Sequence, residues 1–150
     1  MFGNGFKKYE KMGRSGKPTI SISPSSWMTF NAALYKKHNL SIYTHCELFY
    51  NSNALEIGIR FIDDSEQKDN KANMIKMRKR TSKATGLESA DINIRSFLNY
   101  YEAPDIEKAT AYEAHPVREG DDFGLLVKLK EGKIKGKKEG VSTSGQQNIF

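Results

Sequence analysis

Apolar residues recur at every second position over short stretches, and that pattern constrains this chain more than anything else in it. In Leu55-Glu56-Ile57-Gly58-Ile59-Arg60-Phe61 the side chains of Leu55, Ile57, Ile59 and Phe61 fall on one face of an extended backbone. Thr19-Ile20-Ser21-Ile22-Ser23 alternates in the same way and stops at Pro24, and Trp27-Met28-Thr29-Phe30 resumes the extended run. Strands this short bury one face only when paired, so an antiparallel sheet follows.

Two short helices interrupt the strands. Asn31 is placed to cap the first, since its side-chain oxygen can accept from amides of the following turn. Residues 32–38 are expected to be helical, with Ala33, Leu34 and Leu40 directed to a core. Residues 43–50 read as a strand, Asn51-Ser52-Asn53 as a turn that tolerates left-handed backbone, and residues 54–62 as the hairpin partner. The second half repeats the order: a strand over 74–80, a polar connection over 81–88 and Asp91-Ile92-Asn93 leading into a helix over 94–101. An extended run over 111–117, a turn at 118–122 and a strand over 123–129 complete it. The expected fold class is α+β: a β-rich antiparallel domain with two short helices and an internal duplication of residues 19–62 in 74–129.

The chain has 150 residues, enough for one domain with its own core. Residues 1–18 and 131–150 are rich in Gly, Lys and Ser and read as flexible basic arms around a folded part spanning 19–130. One cysteine, Cys46, leaves no internal disulfide and implies a reducing, cytoplasmic setting. No apolar run suits a membrane span.

Charge is segregated. Of a net +6, residues 71–83 hold Lys71, Lys76, Arg78, Lys79, Arg80 and Lys83 without an acid. The first arm holds Lys7, Lys8, Lys11, Arg14 and Lys17 against Glu10, and residues 128–140 hold six lysines against Glu131 and Glu139. Concentrated positive charge attracts polyanions by releasing the counterions condensed on phosphate. Alternation through Met74–Arg80 puts Ile75 and Met77 on one side and Lys76, Arg78 and Arg80 on the other. Their same-face spacing is roughly 6.6 Å, near that of successive phosphates on a single strand. The same charges would also shield an edge strand from unwanted pairing. Trp27, beside a Ser-rich turn, and Tyr9, in the basic arm, are candidate base-stacking platforms, whereas Phe49, Phe61 and Phe97 are assigned to the core.

Catalytic readings do not assemble. His45 and Cys46 are neighbours that a strand points to opposite faces, so they do not chelate one ion. Gly13-Arg14-Ser15-Gly16-Lys17-Pro18 lacks the spacing of a phosphate loop, and Asp63-Asp64-Ser65-Glu66 lacks the glycine of a calcium loop. Neither metal nor cofactor is expected.

Thr19-Ile20-Ser21-Ile22, Met28-Thr29-Phe30-Asn31, Leu34, Leu40, Cys46-Glu47-Leu48 and Leu55-Glu56-Ile57-Gly58-Ile59 together resemble the swapped-hairpin AbrB type. The resemblance implies strand, strand, short helix and hairpin in a small dimeric DNA-binding protein. The loop that carries basic DNA contacts in that type is here Pro24-Ser25-Ser26, so no site residue transfers. The whole chain also looks like small uncharacterised prokaryotic and phage proteins, and its architecture is similar to single-strand binders of the positive-cofactor and Whirly types.

These observations lead to a non-enzymatic nucleic-acid-binding protein, single-stranded DNA ahead of duplex or RNA, acting as a homo-oligomer. Its expected contacts are Lys76, Arg78, Arg80, Lys7, Lys8, Lys11, Lys133, Lys135, Lys137, Lys138, Trp27 and Tyr9. The alternative is a protein-interaction module, an inhibitor or assembly subunit, whose basic arms dock on an acidic partner.

Overall fold

Alternation resolves into two antiparallel sheets that share one core, described by a computed structural model for residues 16–63 and 73–135 together with Asn4. The strands are β1 (Ile20–Ile22), β2 (Trp27–Phe30), β3 (His45–Asn51), β4 (Glu56–Ile62), β5 (Ile75–Lys76), β6 (Arg78–Thr81), β7 (Glu88–Asn93), β8 (Thr110–Tyr112), β9 (Ala114–Glu119), β10 (Asp122–Lys128) and β11 (Lys133–Ile134). Helices α1 (Ala32–Lys37) and α2 (Arg95–Tyr100) lie between strand pairs. The fold is thus α+β, β-rich and antiparallel with two short helices.

The six-stranded sheet runs β11-β8-β1-β2-β7-β6, and the five-stranded sheet runs β5-β3-β4-β10-β9. Strand pairs β1–β2 and β6–β7 meet through β2 and β7, and pairs β3–β4 and β9–β10 meet through β4 and β10. Strand pair, short helix, strand pair therefore occurs in each half, with β8 inserted in the second. Period-two burial follows: Ile20, Ile22, Met28, Phe30, Ala90, Ile92 and Tyr112 from one sheet meet Cys46, Ile57, Ile59, Phe61, Phe123, Leu125 and Val127 from the other. Phe30 and Phe61 bridge the layers edge to face at 5.3 Å.

Asn31 caps α1 as its position suggests. Its Oδ1 accepts from Leu34 N at 3.0 Å and from Thr19 N at 3.1 Å, while its Nδ2 donates to Lys17 O and Thr19 Oγ1, each at 2.8 Å. One side chain thereby starts the helix and ties it to the entry of β1. Leu34 and Leu40 are buried, as the pattern required.

Four local readings change. The extended run over 74–80 is not one strand: it breaks at Met77, which is buried and donates its N–H to Thr44 O at 2.9 Å. There the chain passes from the five-stranded sheet to the six-stranded one, so Lys76 is separated from Arg78 and Arg80. The run over 111–117 likewise divides at Glu113 between the two sheets. Leu55 precedes its strand in left-handed backbone, φ 55°, instead of joining the apolar face of β4. Finally, the chain stays in the sheet past Lys130: β11 pairs with β8, and at Gly132 it runs so close to Tyr112 and Thr110 that a Cβ would collide with both.

Candidate nucleic-acid interface

Three of the sequence-derived contacts, Trp27, Arg78 and Arg80, converge on the face of the six-stranded sheet turned away from the core. Antiparallel register explains how. Arg78 lies directly across from Asp91, Arg80 from Ser89, Asp91 from Thr29, and Asn93 from Trp27. Directly opposed and diagonal side chains on one face of a sheet are within reach of each other. Arg78 therefore meets Asp91 head on, donating from Nε to Oδ1 at 2.8 Å and from Nη2 to Oδ2 at 3.0 Å. Arg80 approaches diagonally, with Nε 3.2 Å from Oδ2. The Arg78 guanidinium also lies over the Trp27 ring, 4.0 Å from its centroid.

Asp91 was missed in the sequence. It stands between Ala90 and Ile92, and all three are buried. The side chain of Asp91 retains 5% exposure, against 49% for Arg78 and 56% for Arg80. Removing a carboxylate from water is costly unless it is paired, and three charge-assisted contacts from two arginines supply the pairing. The hydrogen bonds to Asp91 in turn push Arg78 further up its already high protonation range. The only sequence signal was an acid set between apolar neighbours, pointing to the other side of a strand.

Along one row of register the face reads Lys133, Ala111, Ser21, Thr29, Asp91 and Arg78, from β11 to β6. Six strands spaced by about 4.8 Å make a surface roughly 24 Å across. Its middle is small and polar, with cations at both edges. Lys133 and Lys135 are exposed at the edge opposite Arg78. Lys76 joins neither group: it pairs in register with His45 in the other sheet. Lys79 is committed elsewhere, donating from Nζ to Ser41 O at 2.8 Å. Lys7, Lys8, Tyr9, Lys11, Lys137 and Lys138 lie outside the described residues.

The far face of the five-stranded sheet differs in kind. Phe49, assigned to the core by its position in a strand, is 55% exposed there, and Val117 is 46% exposed. With Leu126, Gly58 and Gly124 they line a groove of about 380 Å³. Gly124 is required by the backbone, since a Cβ would stand 2.6 Å from Ile59 O. Arg60 bridges Glu47 at 2.9 Å and Asp122 at 3.1 Å along its rim.

Cys46 is fully buried, and burial pushes its thiol well above the usual range, so it stays protonated. Among the described residues no group of His, Cys, Asp and Glu is arranged to hold a metal ion, and no helix is long and apolar enough to cross a membrane.

Comparison with protein-family models, with curated proteins and with solved structures finds no match to this chain.

Proposed function

We propose that this protein is a non-enzymatic binder of single-stranded nucleic acid, DNA ahead of RNA, using the outer face of the six-stranded sheet. The observation that carries the reading is the cluster of Trp27, Arg78 and Arg80 on one polar face. An aromatic ring with cations beside it supports sequence-tolerant binding, because every base has a π-face and every nucleotide a phosphate. A duplex offers its bases only through grooves, which are read by a helix or a β-ribbon inserted into them. Among the described residues, α1 and α2 span six residues each, too short for that role. Lys133 and Lys135 at the far edge, and the basic arms with Lys7, Lys8, Lys11, Lys137 and Lys138, add phosphate contacts on this reading. We also propose cytoplasmic residence and homo-oligomer formation.

Fluorescence anisotropy with labelled single-stranded DNA, duplex DNA and single-stranded RNA across a salt series tests the reading. Tighter single-strand binding is expected, with a salt slope that flattens by about 0.7 for each phosphate-contacting cation removed. Equal or stronger duplex binding, or no binding at low salt, would overturn it.

The apolar groove on the opposite face favours a second reading, a protein-interaction module. Phe49, Val117 and Leu126, beside Glu119 and the Arg60–Asp122 pair, suit a partner segment that carries an apolar side chain next to a basic one. If this reading is the correct one, Phe49→Ser abolishes partner binding and nucleic acid has no effect on it.

A further inference from the structure

Resting on the nucleic-acid reading, the geometry points to a defined ligand unit: one unpaired base with its adjoining phosphate. The base lies on the free face of the Arg78 guanidinium, the phosphate lies against Arg80, and Asp91 is the residue that positions both.

The division of labour follows from which donors are already used. Arg78 spends Nε and Nη2 on the two oxygens of Asp91, which fixes the plane of its guanidinium. One face of that plane covers Trp27 at 4.0 Å, and the side chain is still 49% exposed. What Arg78 offers a ligand is therefore chiefly a flat, cationic face, on which a base stacks as it does on an aromatic ring. Arg80 uses only Nε on Asp91, and no other bond of its guanidinium occurs among the described residues. Its two Nη groups remain available as a fork that matches phosphate oxygens. Asp91 is paired with two cations, so the cluster keeps a net positive charge toward an incoming phosphate, and Asp91 holds the two arginines apart in role. A base inside a duplex is stacked between its neighbours and does not present such a face, so the unit must be unpaired.

The test compares intact wild-type protein on a short labelled oligothymidine and on a strand of the same phosphate count whose central residues are abasic spacers. The wild type is expected to prefer the base-bearing strand about tenfold, within the range of one stacked base. Emission of Trp27, the sole tryptophan, should change only with that strand. Asp91→Asn makes the surface more positive. If the site were only an electrostatic surface, this variant would bind both strands more tightly and keep any preference. As a positioning residue, Asp91 predicts the opposite for the base: the preference falls several-fold while abasic binding is undiminished.

Arg78→Lys keeps the charge and leaves Asp91 in contact with Arg80, yet it should lose the preference too. It supplies the same test if Asp91→Asn fails to fold, which thermal melts would reveal. Equal wild-type binding to both strands overturns the inference alone, as does an unchanged preference in the variants. Binding to neither strand overturns the nucleic-acid reading beneath it.

Discussion

The two outer faces of this molecule are built on the same period-two logic and end in opposite chemistries. On the six-stranded sheet the outward positions are Ser21, Thr29 and Ala111, with Trp27, Asp91, Arg78 and Arg80 toward one edge. On the five-stranded sheet they are Phe49, Gly58, Gly124, Leu126 and Val117, with Glu47, Arg60 and Asp122 along one side. Each face contains arginines held by acids, but the acids differ. Asp91 is 5% exposed and depends on its partners, whereas Asp122 at 52% is solvated with or without Arg60. An ion pair matters to a fold in proportion to what is left stranded when it breaks.

The change that would disable both faces together is Phe61→Ala. Phe61 packs against Phe30, Tyr43 and Phe123 in the core between the sheets, and its truncation should cost about 3–5 kcal/mol in a denaturant titration.

Next, the comparison of arginines is open to direct measurement. Replacing Arg78 and Arg80 together by Ala leaves the Asp91 carboxylate without either of its cationic partners. It should lower the denaturant midpoint measurably, because both cations that pair Asp91 are lost. Arg60→Ala leaves Glu47 and Asp122 able to reach water and should cost about 1 kcal/mol or less. Equal losses in the two variants would erase the distinction drawn between the faces.

A smaller, pH-dependent effect belongs to the core edge beneath the second face. His38 packs against Phe123 at 5.1 Å, and its imidazole is held below the ordinary value of 6.5 by burial, then by Lys37 and Arg118. The unfolded chain therefore protonates His38 at a higher pH than the fold does. The stability tied to neutral His38 is complete above 6.5 and declines as pH falls from there through the lowered value of the fold. Melting temperature should drop over that interval, and less so in His38→Gln.

The smallest expected change is Phe49→Ser: under about 0.5 kcal/mol in stability, because the ring is already exposed, and no loss of nucleic-acid affinity. Reduced affinity there would move the proposed binding surface to the five-stranded sheet.

Much of the fold could be read from the chain because its signals are local. The alternation in Thr19–Ser23 and Leu55–Phe61, the turn at Pro24 and the cap at Asn31 each depend on residues within a few positions of one another. They delivered β1, β2, α1 and the β3–β4 hairpin within a residue or two. The run from Met74 to Arg80 misled for the same reason. Its alternation is continuous, but nothing in the segment says that Met77 is drawn into the core while strands from different sheets flank it. Phe49 misled in another way: a phenylalanine in a strand fits either face, and only pairing with Gly58 assigns it to the outside.

By itself, then, the amino-acid order determined that this is a β-rich chain with two short helices, a single thiol and clustered positive charge, since periodicity and capping act along the backbone. Tertiary structure alone decided that Arg78 and Arg80 share Asp91, that Trp27 lies beneath Arg78, and that Lys76 stands apart. Those relations are set by register between strands far apart in sequence, and a one-residue slip in register would turn every one of these side chains to the opposite face.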